Sequence, residues 1–236
     1  MQLPFFYIDN FDTAQEEIVL NEETSKHVVQ VLRMKIGEGL HLTDGKGAII
    51  TAEIYDNNRK HCSVRVKECS YLKDESPKVS IAISLLKNNN RFEWFLEKAT
   101  EIGIHSIIPL LCERTEKEKF KTGRFHQILI SAMLQSRQVW LPELYIPVSF
   151  NDFLNQNIFK TAAHKYIAHC ADGEKNKLIP TQKDSSVILI GPEGDFSGEE
   201  IQMAIDAGCL PVTLGNTRLR TETAGMVAAV LLKNSS

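Results

Sequence analysis

Apolar and polar residues follow one rhythm before residue 75 and another after it. In the first stretch apolar positions gather in short runs at Phe5 to Ile8, Leu40 to Thr43, Ala48 to Ile54 and Cys62 to Val66. Alternation with a period of two turns one face of a run toward a core, so these segments predict strands. Asp44-Gly45-Lys46-Gly47 separates the second run from the third, and its Asp-Gly step predicts a hairpin. Behind Thr24-Ser25, Val28, Val29, Val31, Leu32 and Ile36 recur at near-helical spacing, which predicts one short helix among the strands. A small β-barrel is expected over residues 1–75, followed by the polar linker Lys73-Asp74-Glu75-Ser76-Pro77.

From Lys78 the pattern alternates between strands and helices. Val79 to Leu86 predicts a strand, and Phe92, Phe95, Leu96, Ala99 and Ile102 share one helical face that Gly103 ends. Ile104 to Leu111 predicts the next strand and Phe125 to Val139 the next helix. Strands at Ala163 to His169, Val187 to Ile190 and Leu210 to Leu214 then interleave with helices at Glu199 to Ala207 and Glu222 to Leu232. Such alternation predicts an α/β domain with a parallel sheet over residues 76–236.

Composition narrows the picture. A hydrophobic fraction of 43% with 24% charged residues fits a globular core and excludes a disordered chain. The net charge of −3 excludes a uniformly basic nucleic-acid binder while leaving room for a local basic surface. Arg114 to Arg124 concentrates five basic residues against two acidic ones. The five cysteines form no CxxC and the histidines no HExxH, so neither a disulfide framework nor a metal site is expected. Ala224 to Leu232 falls short of the roughly 18 apolar residues of a membrane span, and the N-terminus lacks a basic leader region, so a cytoplasmic protein is expected.

In an open parallel sheet, ligands gather at the carboxyl ends of strands. Two loops there are unusual. Gly191-Pro192-Glu193-Gly194-Asp195-Phe196-Ser197-Gly198 follows the run Val-Ile-Leu-Ile, and Ser197 with Glu200 has the spacing of a capping box. The alternative reading of this segment is a tight strand-to-helix connection. The second loop runs from Leu214 to Ala224, with Thr221 expected as a helix N-cap and Glu222 placed to suit the helix dipole. Capping explains neither Arg218 nor Arg220; they suggest an anionic substrate such as RNA phosphate, or else ion pairs with Glu193 or Glu222. The chain has no GxxxxGK[ST], no GxGxxG and no GxSxG. A glycine-rich, backbone-lined pocket remains, of a kind that suits a cofactor recognised through adenine and ribose edges.

At these residues the chain resembles the SPOUT class of RNA methyltransferases, and within it the bacterial 16S ribosomal RNA uridine N3-methyltransferase (RsmE) family. The carriers are GPEGD from Gly191 and LGNTRLRTETA from Leu214. Further matches are HVVQVLRMK from His27, Asp44 to Gly47, Lys98 to Gly103, Pro109, Glu113-Arg114, Gln135-Ser136 and Leu141-Pro142, all in the family's order. Asp195 departs from the pattern: it replaces the second glycine of the family's pair, where positive φ suits aspartate less well than glycine. The resemblance implies an N-terminal PUA-like β-barrel, a C-terminal SPOUT α/β domain with a deep trefoil knot, and a homodimer. It also implies S-adenosylmethionine (SAM) as cofactor, held by Ala168, His169, Gly191, Pro192, Glu193, Gly194, Leu214, Gly215, Leu219, Arg220 and Thr223, and 16S ribosomal RNA of the small subunit as partner.

Uracil N3 is a weakly acidic imide that must lose its proton to be methylated. Arg220 is expected to stabilise the developing anion, with Glu222 as candidate base. His27, Arg33, Arg114 and Arg137 are the expected RNA contacts, two from each domain, against the alternative of solvated surface charge. Two further readings of the whole chain stay open here: a knotted enzyme acting on another base or a ribose hydroxyl, and a non-catalytic RNA-binding assembly factor.

Overall fold

The computed structural model describes residues 3–116, 119–178 and 184–233. The chain forms two compact units, one of Met1–Asp74 with Met133–Leu141 and one of Glu75–Ala132 with Pro142–Ser236.

The first unit contains β1 (Phe5–Tyr7), β2 (Glu17–Val19), α1 (Glu22–Lys26), β3 (Gly39–Thr43), β4 (Ala48–Asp56) and β5 (Ser63–Tyr71). Its sheet has the order β1-β3-β4-β5-β2, with β1 parallel to β3 and the other pairs antiparallel. Along β4, Ala48, Ile50, Ala52 and Ile54 point inward in the two-residue period read from the sequence. They share one core with Leu20, Val28, Leu40, Leu42 and Val64. The sequence pattern misses β2, where Ile18 alone is buried and no period can show.

The helix predicted over Val28 to Ile36 forms only in part and begins earlier: α1, capped by Asn21, runs directly into a π-helical turn at His27–Val31, and Val31, Leu32 and Ile36 are exposed where the pattern expected a buried face. Arg33 stops it in the left-handed region at φ 57°, with the Met34 amide donating to the Val28 carbonyl.

Met133–Leu141 corrects the sequence reading, which assigned it to a helix reaching Val139 in the second domain. Helix α3 (Thr122–Gln135) stops four residues sooner. Arg137 takes φ 56°, its amide donates to Leu134 and the amide of Gln138 to Met133, a Schellman stop with arginine in the place usually held by glycine. The chain then lies along the β3–β4 hairpin: Gly47 donates to Val139, Leu141 donates to Gly45, and Lys46 bridges Trp140. Gly47 is at φ 100°, and a Cβ on it would meet the Trp140 ring at 2.5 Å, so the indole can lie over the turn only because the side chain is missing.

In chain order, the second unit contains β6 (Val79–Ser84), α2 (Asn89–Ile102), β7 (Ser106–Leu111) and the larger part of α3. It continues with β8 (Glu143–Leu144), β9 (Val148–Ser149), α4 (Phe150–Asn155), α5 (Asn157–Lys160), β10 (His164–Ala168) and β11 (Asn176–Lys177). It ends with β12 (Ser186–Ile190), α6 (Gly198–Asp206), β13 (Leu210–Thr213) and α7 (Thr221–Lys233). Every described strand pair is parallel, in the order β11-β13-β10-β12-β6-β7-β8, with β9 also on β7. β6 and β12 are buried at every position, as the unbroken apolar runs require of central parallel strands. The carboxyl ends of β10, β12 and β13 therefore open on one edge of the sheet, together with those of β6 and β7. Among the described residues, no helix is long and apolar enough to cross a membrane.

Helix α7 packs on β6 and α2 through Gly225, where a Cβ would lie 2.7 Å from the Phe95 ring and 2.9 Å from Ile83. Gly225→Ala gains about 1 kcal/mol of helix propensity but forces a methyl into a filled contact at a cost of about 1–3 kcal/mol. We expect net destabilisation, read as a lower urea midpoint with an unchanged m-value.

Candidate functional site

The loops that follow β10, β12 and β13 line two adjoining clefts of about 290 and 270 Å³. Ala168, Cys170, Arg218, Leu219 and Ala224 face both clefts. Gly191, Pro192, Glu193, Asp195 and Arg220 line the first, and His169, Leu214 and Gly215 the second. Of the residues assigned to cofactor binding from the sequence, only Gly194 and Thr223 are absent from the lining. Cys170 and Ala224 line it without having been assigned to it, since they flank the motif positions and their side chains carry no signal of their own; Asp195, noted only as a departure from the family pattern, lines it as well.

The loop after β12 takes its shape from groups distant in the chain. Pro192 and Asp195 close a turn through a 2.9 Å backbone hydrogen bond. Gly191 sits so tightly against Phe196 that a Cβ would meet its ring and amide at 3.1 Å, and Phe196 packs on Phe150 in the core. The capping box forms as expected: the Glu200 amide donates to the Ser197 hydroxyl, and the Ser197 amide to the Glu200 carboxylate. The second Glu200 oxygen accepts the Glu113 amide at 2.9 Å, which ties the loop after β7 to the start of α6.

Thr221 corrects its expected role. Arg220 supplies the carbonyl that accepts the Ala224 amide at 2.7 Å, so Thr221 is the first helical residue. Its buried hydroxyl donates to the Gly191 carbonyl at 2.9 Å and joins the β12 loop to the entry of α7.

The arginines divide their work. Arg114, expected on RNA, donates to the carbonyls of Gly194 at 2.8 Å and Phe196 at 3.4 Å. Arg218 donates to the Glu193 carbonyl at 3.4 Å. The carboxylates of Glu193 and Glu222 pair instead with Arg91 of α2, at 4.0 and 3.7 Å, so the anticipated pairing with Arg218 or Arg220 does not form. Arg91 escaped the sequence reading because it lies on α2 outside the matched segment Lys98 to Gly103, with no motif at its own position. Arg220 is exposed and has no ion-pair partner among the described residues. Glu222 is buried, lines neither cleft, and keeps Oε2 without a hydrogen-bond partner among the described residues. Its geometry is that of an ion-paired helix entrance, and a base acting in the cleft is not supported.

Of the other expected RNA contacts, His27 is exposed and meets the Phe6 ring edge-on at 5.7 Å. Arg33 and Arg137 are exposed, and all three lie in the first unit, so the expected division of two contacts per domain becomes three and one. In the basic run Arg114 to Arg124, Lys117 and Glu118 lie outside the described residues. Arg124 is committed to Glu93 at 2.7 Å, which reduces the free charge of the run. Among the described residues, no cluster of three or more metal-ligating side chains occurs.

His169 lies half-buried in the second cleft with Nδ1 unpartnered among the described residues. Burial lowers its pKa below the ordinary histidine value, Lys175 adds to the shift, and Asp195 opposes it. The folded state therefore binds fewer protons than the unfolded chain, and stability falls as pH drops below about 6.5. We expect His169→Gln to remove part of that acid loss: its melting temperature rises relative to the parent between pH 7.5 and pH 5.5, as thermal melts at the two pH values will test.

The sequence model of the RNA methyltransferase domain matches residues 74–233, and that of the RNA methyltransferase PUA domain matches residues 20–67. The chain is 31% identical over 221 residues to the ribosomal RNA small subunit methyltransferase E of Synechocystis, covering 89% of this chain and 71% of that protein. Among solved structures, a probable rRNA-methyltransferase from Porphyromonas gingivalis is 35% identical with a TM-score of 0.87, covering 96% of this chain and 95% of that one. A methyltransferase from Legionella pneumophila, solved in complex with the bound cofactor SAM, is 31% identical with a TM-score of 0.83, covering 97% and 96% of the two chains. Sequence and fold both match over most of the chain, which belongs to the RNA methyltransferase family that includes the ribosomal RNA small subunit methyltransferase E proteins.

Proposed function

We propose that this protein transfers the methyl group of SAM to N3 of a uridine in 16S ribosomal RNA of the small subunit, acting as a cytoplasmic homodimer. The observation that carries the reading is the composite cleft at the ends of β10, β12 and β13, with the unpaired Arg220 on its wall. The first cleft is lined by small or apolar residues, among them Ile190, Leu219 and Ala224, beside the charged Glu193, Asp195, Arg218 and Arg220. Such a lining fits the adenine and ribose edges of a nucleoside cofactor, and the unpartnered Nδ1 of His169 offers one further polar contact. SAM, when bound, supplies an electrophilic methyl group on a sulfonium.

The chain's own residues do the rest. Ala168, His169, Gly191, Pro192, Glu193, Leu214, Gly215 and Leu219 form the walls that hold and orient the cofactor. Arg220 directs its guanidinium charge at the uracil, where it stabilises the anion left when N3 loses its proton to solvent. Glu222 and Arg91 hold the start of α7, and with it Arg220. In the first unit, His27, Arg33 and Arg137 contact the RNA. Arg33 and Arg137 both stop helical turns in the left-handed region, where glycine would relieve backbone strain. Keeping a charged side chain at such a position argues for a use of the charge beyond the fold.

Purified protein, labelled SAM and small subunits lacking the modification are expected to yield N3-methyluridine by nucleoside mass spectrometry. A methyl group found on another base or on ribose would refute the target assignment. Arg220→Ala should lower turnover by about 10²-fold or more while SAM affinity, read by calorimetry, holds. Full turnover in that variant would remove Arg220 from the chemistry.

A further inference from the structure

Asp195 holds φ 64° in the wall of the first cleft, in the left-handed region where an aspartate is tolerated mainly when its side chain bonds locally. Its carboxylate makes two hydrogen bonds, one local and one to a distant loop. Oδ1 accepts the Phe196 amide at 2.9 Å, within its own loop. Oδ2 accepts the Cys170 amide at 2.7 Å, on the loop that leaves β10. Cys170 is exposed and lines both clefts, so one carboxylate joins the first two of the three loops that form the site. Arg114 grips the carbonyls of Gly194 and Phe196 on either side and keeps the carboxylate aimed at Cys170. A glycine would satisfy the backbone at 195 and leave the β10 loop unattached.

Resting on the reading of the cleft as a SAM site, we infer that Asp195 is a positioning residue that sets the spacing of the β10 and β12 loops before the cofactor arrives. A loop ordered in advance does not have to be ordered by the ligand, and affinity rises accordingly. The mutational signature separates this role from general support of the fold. Asp195→Gly adopts the observed φ freely, and Asp195→Asn still tolerates it while retaining one acceptor oxygen.

The test uses the full chain and SAM itself. Titration calorimetry is expected to show a Kd for SAM about tenfold weaker in Asp195→Gly, with Asp195→Asn falling between that variant and the parent. Hydrogen exchange without ligand should speed up at the Cys170 amide in Asp195→Gly while the amides of β12 keep their protection. Parental affinity in Asp195→Gly would overturn the inference. So would loss of β12 protection alongside affinity, since that marks damage to the fold. If the parent itself fails to bind SAM, the reading of the cleft falls, and the positioning role falls with it.

Discussion

The loop between β12 and α6 cannot satisfy its own backbone, and the site depends on how that need is met. Its carbonyls at Gly191, Glu193, Gly194 and Phe196 accept hydrogen bonds from Thr221, Arg218 and Arg114. Its carboxylates return the favour, Asp195 to the Cys170 amide and Glu200 to the Glu113 amide. Gly191 and Phe196 are buried, and buried peptide groups without partners are costly, so this part of the loop holds its path only when the segments after β7 and β13 are in place. The cleft is a product of the assembled sheet, and no single segment contains it.

The all-parallel sheet makes that assembly possible. With β12 between β10 and β6, and β13 beyond β10, strands far apart in the chain end side by side on one edge. Charge is then allocated by geometry. Arg91 reaches both Glu193 and Glu222 from α2, and Arg114 and Arg218 are engaged by carbonyls. Arg220, which has neither an ion pair nor a side-chain hydrogen bond among the described residues, lines the cleft, where an anionic substrate can be met without first breaking an internal contact.

The first unit follows a different economy. Its core comes from short alternating strands, and its surface keeps Arg33 and Arg137 in backbone conformations that glycine would hold more easily. Gly47 in turn lets Trp140 cover the hairpin, which fastens residues 133–141 to the β3–β4 turn. Both features place side chains that a generic sheet-and-helix unit would not need.

Much of this was legible in the chain. The change of period near residue 75, the Asp44-Gly45 hairpin, the Gly103 helix stop and the Ser197–Glu200 capping box are local properties, decided by neighbours within a few residues, and each appears in the structure. The glycine-rich and arginine-rich loops were equally visible as loops after buried strands. What escaped were facts set by distant partners. Arg137 ends α3 although nothing in its surroundings signals a stop; Thr221 bonds to Gly191 across thirty positions instead of capping its own helix; and Arg91, outside every motif, takes both carboxylates that were the alternative partners of Arg218 and Arg220. Sequence alone determined which segments form strands, helices and loops, because periodicity and turn chemistry act over a few residues. Only the tertiary structure decided which charges are consumed and which remain free, because an ion pair or a backbone hydrogen bond is settled by separation in space.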